Sequence, residues 1–290
     1  MTSIEATNDL ETLLTWRGRS EAATEAVSAQ WCQKLQNTLN RDADLAAGDR
    51  LPPLWHFITH LRSAPLNGLS RDGHPLRGGF LPPVALPRRM WAGGRFTFHA
   101  PIMIGQSVTK TSTIDDIVMK DGRSGLLCFV TVRHELSVDG DIKVTEEQDL
   151  VYRDDPAPDA PGPEPKPAPT NAAWSRTVTP SEVMLFRYSA LTFNAHRIHY
   201  DRDYAQNVEG YEGLVFHGPL TATLLADLAE AESGRQLTTF SFRAMSPLFD
   251  TAPFSIHGQM DDGDGDAAQM WAATPAGGLA MKASVTFGPE

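Results

Sequence analysis

The sequence predicts an α+β fold made of two fused halves, each a helix laid on one face of an antiparallel sheet. Three observations carry that prediction. The chain has 290 residues, more than one domain usually needs and enough for two units of roughly 145 residues, each with a core of its own. Residues 154–172 hold a proline at almost every second position from Pro156 to Pro169, a composition that rejects both helix and ladder and suits an extended spacer. Finally, Phe96-Thr97-Phe98-His99-Ala100 matches Phe240-Ser241-Phe242-Arg243-Ala244 half a chain length away, and both stretches alternate apolar and polar residues as half-buried strands do.

Taken in order, Val27, Trp31, Leu35 and Leu39 recur every four residues and predict an amphipathic helix over 20–40, read as part of an N-terminal helical extension, 1–50. The first half, 51–153, has strand-like runs at 94–103, 107–120, 124–138 and 141–153, with Asp121-Gly122-Arg123 and Asp139-Gly140-Asp141 as turns. After the spacer, 154–172, the second half, 173–290, opens with Ser181 as a helix N-cap after Thr179-Pro180. Leu220, Leu224, Leu225 and Leu228 then form one stripe of a helix over 219–233, ended by Gly234 where a left-handed cap is wanted. Four more strands are expected at 236–245, 252–261, 267–273 and 278–287.

Bulk properties narrow the function. A net charge of -11 argues against a nucleic-acid scaffold, which must neutralise phosphates with Lys and Arg. No apolar run approaches the roughly 20 residues of a membrane span. The acidic first residues resemble neither a secretory signal nor a transit peptide, so a cytoplasmic location is expected. Cys32 and Cys128 stand far apart and are read as two buried thiols, neither a disulfide nor a zinc site.

The densest cluster of reactive side chains is Thr192-Phe193-Asn194-Ala195-His196-Arg197-Ile198-His199-Tyr200-Asp201, followed by Gly213-Leu214-Val215-Phe216-His217-Gly218-Pro219-Leu220. Together with Arg88-Arg89-Met90-Trp91-Ala92-Gly93-Gly94 in the first half, it resembles the MaoC-like, R-specific hydratases and type 2 hydroxyacyl-thioester dehydratases. Their motif runs Asp-x-Asn-Pro-x-His, with His-Gly before a helix some way downstream. The resemblance implies a double hot-dog fold and a hydro-lyase acting on an acyl-CoA thioester, without metal or redox cofactor. It places His199 on the catalytic histidine, Asn194 on the catalytic aspartate, His196 on the asparagine and Arg197 on the proline. It also gives Gly218 the oxyanion role. As substrate it implies 3-methylfumaryl-CoA first, giving citramalyl-CoA, with itaconyl-CoA or a generic 3-hydroxyacyl thioester as alternatives. A hot-dog thioesterase and a non-catalytic thioester-binding module are the readings from other classes. The fused halves already supply the pairing that single subunits obtain by dimerising, and a homodimer is a further assembly open to the chain.

Hydrating a 2-enoyl thioester requires a base for the attacking water, an acid for C2 and a site for enolate charge on the thioester oxygen. An imidazole with its ordinary pKa near 6.5 serves the first need. The amide at Asn194 can orient but cannot accept a proton as a carboxylate would, so the second proton-transfer group is open. In order come His199 alone through one water, His196 assisting, and Asp201, which is equally placed to cap a helix at Arg202. Gly218 opens the long helix, where unpaired N–H groups and the positive dipole end favour an oxyanion. Arg88, Arg89 and Arg123 offer planar forks for coenzyme A phosphates, against the commoner role of a solvated arginine. Arg197 is read as meeting a second substrate carboxylate, or else pairing with Asp201. His56, His60, His74, His99, His134 and His257 are read as ordinary structural histidines, and so is His217. Trp55 stands where the repeat would place a counterpart of His199, so the first half is expected to be catalytically silent and to help house the acyl and pantetheine chain.

Overall fold

The computed structural model describes residues 5–42, 44–122, 125–155 and 164–289. Ten strands form one antiparallel sheet: β1 (Ser20–Ala26), β2 (Arg88–Phe98), β3 (Ser107–Gly122), β4 (Gly125–Val138), β5 (Asp141–Arg153), β6 (Trp174–Val178), β7 (Leu237–Ala244), β8 (Phe254–Asp261), β9 (Asp264–Ala273) and β10 (Leu279–Phe287). Their spatial order is β1-β3-β4-β5-β2-β7-β10-β9-β8-β6. Read from either edge inward, the two halves have the same order, and they join where β2 pairs with β7. The strands that carry the matched pentapeptides pair there, and the first residues of the two matches meet, with Phe96 opposite Phe240. A residue facing its own counterpart in an antiparallel pair is what a local two-fold axis through that pair produces.

Alternation along the strands sets the buried face. In β4, Cys128, Val130, Val132, His134, Leu136 and Val138 point inward while their neighbours are partly exposed, the period of two that a half-buried strand requires. Helix α5 (Gly218–Ser233) lies against β7 to β10. Pro219 sits in its first turn, and Gly234 closes it in the left-handed conformation at φ 68, the expected Pro-at-start, Gly-at-end asymmetry. Leu220, Leu225 and Leu228 are fully buried, and each such side chain contributes about 1.5–3 kcal/mol of burial. The shorter helix α3 (Glu182–Leu191) starts at Ser181, whose hydroxyl accepts the Met184 N–H at 3.1 Å.

Three expectations differ from the structure. The helix expected over 20–40 is confined to α2 (Ala29–Thr38), capped by Ser28, while Ser20–Ala26 is a strand paired with β3 from Ser20 opposite Thr113 to Ala26 opposite Ser107. Its side chains are exposed throughout, so no apolar alternation marks it; a ladder to residues far downstream decides its conformation. Since β1 and α2 occupy the positions that β6 and α3 occupy in the second half, residues 20–38 belong to the first half, with Ser20–Ala26 in its sheet, and are not an added extension. Among its described residues the first half also has no long helix. Between α2 and β2, prolines at 52, 53, 65, 75, 82, 83 and 87 break any such run, and the described residues there form two single 3₁₀ turns, Trp55–Ile58 and Leu66–Gly68. Strand β2, expected over 94–103, begins earlier, because Arg88 to Trp91 pair with the end of β5. Of the expected spacer, residues 156–163 lie outside the described residues. Its later part is held to the sheet by Leu279 N–H to the Lys166 carbonyl at 2.6 Å. Cys32 and Cys128 are buried and free, and no helix among the described residues is long and apolar enough to cross a membrane.

Candidate active site

The motif lies in the connection from α3 to α5. Thr192 ends α3 with its hydroxyl on the Tyr188 carbonyl at 2.7 Å, and Phe193 turns the chain at φ 48, a left-handed conformation uncommon outside glycine. Asn194 donates its N–H to the Ser189 carbonyl at 2.8 Å, and its side-chain oxygen accepts the His196 N–H at 2.9 Å. That oxygen therefore shapes the turn. A 3₁₀ turn, Arg197–His199, follows. It is clamped to the strand-like segment ahead of α5 by two reciprocal bonds: Val215 N–H donates to the Ile198 carbonyl at 2.9 Å, and the Val215 carbonyl accepts from His199 Nδ1 at 2.7 Å.

The second bond fixes the chemistry of His199. A carbonyl oxygen only accepts, so Nδ1 carries the hydrogen and Nε2 of the neutral ring keeps its lone pair. The side chain is 7% exposed, and burial pushes its pKa down to about 4, against the opposing pull of the Val215 bond. At neutral pH it is a free base. Its surroundings are polar. His217 stacks on it with ring centroids 3.7 Å apart, and His196 meets it edge-on at 5.4 Å. His217 is held from behind by its Nε2 and the Ser189 hydroxyl, 2.9 Å apart, and burial keeps it well below the usual imidazole range. Because Gly218 follows His217 directly, the stacking brings the N-terminus of α5 beside His199. Among the described residues the Gly218 N–H has no hydrogen-bond partner, and a Cβ built there would meet nothing within 4 Å, so the residue has open space beside its Cα.

Other candidates divide clearly. Asp201 caps α4 (Arg202–Asn207) by accepting the Tyr204 N–H at 3.0 Å, and it binds Arg197 through two contacts of 3.0 and 2.7 Å. Arg197 also lies over the Tyr204 ring and donates to the Arg71 carbonyl, so both residues are engaged in holding the turn. Arg88 pairs with Asp155 at 2.8 Å and Glu209 at 3.1 Å. Arg89 forms no ion pair among the described residues; it lies close enough for its charge to add to the burial that lowers His74 and His196. Arg123 lies outside the described residues.

The structure also brings in a residue that sequence reasoning set aside. The loop carrying Ser70 to Pro75, in the first half, docks on the motif: the Arg197 N–H donates to the Asp72 carbonyl at 2.9 Å. Gly73, at φ 91, approaches so closely that a Cβ would sit 1.8 Å from the Ala195 oxygen, which only glycine permits. The loop presents His74 against His196, ring centroids 4.2 Å apart. Asp72 Oδ2 accepts from His74 Nδ1 at 2.9 Å, while Oδ1 accepts the His74 N–H at 3.0 Å and the Ser70 hydroxyl. The only local signal for this was the Asp-x-His spacing, at which an Asx turn can set a carboxylate on the following ring. Asp72, His74 and His196 place ligand atoms within 4.8 Å of one another, the one such group among the described residues. With the Asp72 oxygens already occupied, the arrangement is a hydrogen-bonded Asp–His pair beside a third imidazole, more than a set of vacant ligands. The imidazoles thus run in the order His74, His196, His199, His217.

Known proteins match both the chain and its fold. The family model for hydroxyacyl-thioester dehydratase type 2 matches residues 54–250. A mesaconyl-C(4)-CoA hydratase of Chloroflexus aurantiacus is 46% identical over 95% of this chain and 98% of its own length. The mitochondrial hydroxyacyl-thioester dehydratase type 2 of Schizosaccharomyces pombe is 27% identical over 71% of this chain and 77% of its own. Among solved structures, a MaoC-like dehydratase from Phytophthora capsici superposes with a TM-score of 0.71 at 13% identity, covering 97% of this chain and 98% of that one. A Mycobacterium tuberculosis protein described as a double hotdog fold gives 0.56 at 11% identity, covering 93% and 96%. The expected double hot-dog α+β fold is the one observed, and with a family match over more than half its length and a relative aligned from end to end, the chain belongs to the hydroxyacyl-thioester dehydratase type 2 family of hydro-lyases.

Proposed function

We propose that the chain hydrates 3-methylfumaryl-CoA, the mesaconyl-C(4) thioester, to citramalyl-CoA. The observation that carries the reading is the state of His199: a neutral imidazole with Nδ1–H on a carbonyl and Nε2 left as a base, set beside the unpartnered N–H at the start of α5. Nε2 takes a proton from water as the water oxygen bonds to C3. The C2=C3 electrons move toward the thioester, and the resulting enolate oxygen is held at the Gly218 N–H and the positive end of the helix dipole. The free carboxylate of this substrate sits on C3 itself and needs a cation nearby. With Arg88 and Arg197 paired to protein carboxylates, Arg89 is the arginine of the three that suits that role. The extensive identity to a mesaconyl-C(4)-CoA hydratase supports the acyl group.

These steps use imidazole and backbone groups, so the reaction as proposed calls on no metal or redox cofactor, and coenzyme A arrives with the substrate. A cytoplasmic setting, in keeping with free buried thiols at Cys32 and Cys128, belongs to the same proposal. The test is a panel of 3-methylfumaryl-CoA, itaconyl-CoA and crotonyl-CoA, followed by enoyl absorbance and free thiol. Expected is fast loss of absorbance with the first ester and no thiol, slowed about 10²- to 10⁴-fold by His199→Ala. Release of thiol would make the chain a thioesterase. Preference for crotonyl-CoA would make it a straight-chain hydratase, a reading the family match accommodates equally.

A further inference from the structure

We infer that His74, held by Asp72 on the loop from the first half, is the catalytic group that exchanges a proton with C2, the role left vacant by an amide at Asn194. The inference rests on the hydratase reading of His199 and supplies its missing half. Addition of water is complete only when the enolate gains a proton at C2, and that proton needs an acid on a second group or a shuttled one from the first. Asn194 cannot provide it, because its side-chain oxygen accepts the His196 N–H and its amide has no acidic proton near neutrality.

Among the described residues, His74 is the imidazole of the cluster with a carboxylate on its ring. His199 faces the Val215 carbonyl and His217 a hydroxyl. A buried imidazolium is expensive unless it is paired; burial and the nearby Arg89 and Arg77 charges lower His74 while the Asp72 carboxylate opposes them, so of the four rings His74 is the one with a counter-charge for the cationic, proton-donating form. The bond from Nδ1 to Asp72 Oδ2 also sets the tautomer, leaving Nε2 as the transferring atom, the way a triad carboxylate orients its histidine. Asp72 is then a positioning residue. Ser70 and the His74 N–H hold it in place, and the Gly73 contact with Ala195 fixes the loop on the motif.

The proton balance closes. In hydration the O–H bond of water breaks toward His199 Nε2, the oxygen pair forms the C3–O bond, and the π pair passes to the thioester enolate. The enolate collapses as C2 bonds to the hydrogen of His74 Nε2–H, whose bonding pair stays on nitrogen. His199 has gained one proton and His74 has lost one. His196, with ring contacts of 4.2 Å to His74 and 5.4 Å to His199, stands on the route that returns it. In dehydration every transfer reverses, and the neutral His74 removes the C2 proton.

The reading is tested on the full chain in deuterated water with two substrates: 3-methylfumaryl-CoA for hydration, and its saturated methylsuccinyl analogue, which has no hydroxyl to lose, for exchange of the C2 hydrogens. His74→Gln is expected to lower kcat for hydration by 100-fold or more and to abolish C2 exchange. His199→Ala is expected to slow hydration about 10²- to 10⁴-fold while C2 exchange stays within about threefold of the parent. Asp72→Asn is expected to lower kcat and exchange together by tenfold or more with KM within about twofold, a split that mere loosening of the loop would not give. His74→Ala serves as a second variant should the glutamine protein fail to fold. Undiminished C2 exchange in a folded His74 variant, or exchange lost in His199→Ala as fully as in His74→Gln, would overturn the assignment. If the parent protein hydrates no enoyl thioester, the proposed function itself has failed, a distinct outcome from either.

Discussion

Burial of His199 as a neutral base has a consequence for stability that can be measured without any substrate. In the unfolded chain the imidazole titrates at its ordinary value of 6.5, and in the folded protein burial holds it down to about 4. The folded-state pKa is the lower one, so as pH falls the unfolded state takes up the proton first. Stability present above pH 6.5 is then lost between 6.5 and about 4. At pH 5 the ratio of the two proton-binding polynomials is about 30, which corresponds to about 2 kcal/mol. The full loss below pH 4 approaches about 3 kcal/mol. Urea unfolding followed by far-UV circular dichroism at pH 7.5 and pH 5 should therefore show the parent losing about 2 kcal/mol more on acidification than His199→Gln, which has no proton to take up. Comparing the two proteins cancels most of the contributions of His196, His217 and His134, which burial also lowers. An equal pH dependence in parent and variant would show that His199 titrates normally in the folded state, and the argument that it is a free base because it is desolvated would fall with it.

Three further outcomes follow from the same geometry. Gly218→Pro removes the N–H of the first helical residue while keeping a backbone that proline tolerates at that position; kcat should fall about 10²- to 10³-fold, whereas Gly218→Ala, with open space for its Cβ, should change it by less than about tenfold. Arg89→Ala should raise KM for the dicarboxyl ester at least tenfold and leave that for crotonyl-CoA within about threefold, as steady-state kinetics on both esters would show. Gly73→Ala should impair hydration severely even though the residue touches no substrate, because its Cβ would collide with the Ala195 oxygen; near-normal turnover in that variant would mean that the loop need not dock for catalysis.

How much of this was legible beforehand depends on the distance over which each feature is decided. The stripe of Leu220, Leu224, Leu225 and Leu228, the stop at Gly234 and the cap at Ser181 are local, and the structure has them within a residue of the expected places. The repeat around Phe96 and Phe240 was visible as a pattern, but only the paired strands show it as a local axis. Strand β1 was misread because Ser20 to Ala26 carry no apolar alternation, their conformation coming from a ladder with β3. Of the two readings of Arg197, a substrate carboxylate or Asp201, the structure shows the ion pair with Asp201, four residues on, together with contacts to Tyr204 and Arg71. Arg88 was taken in the same way by Asp155 and Glu209.

The amino-acid order alone determined the periodicities, caps and turns, the division into two alike halves and the histidine in its motif, since each depends on residues a few positions apart or on direct likeness between segments. The tertiary structure decided the rest. Which ring is desolvated and which guanidinium already has a carboxylate are known only once the chain has folded and burial and charge partners exist, and the meetings of His74 with His196 and of Arg88 with Glu209 join segments more than a hundred residues apart.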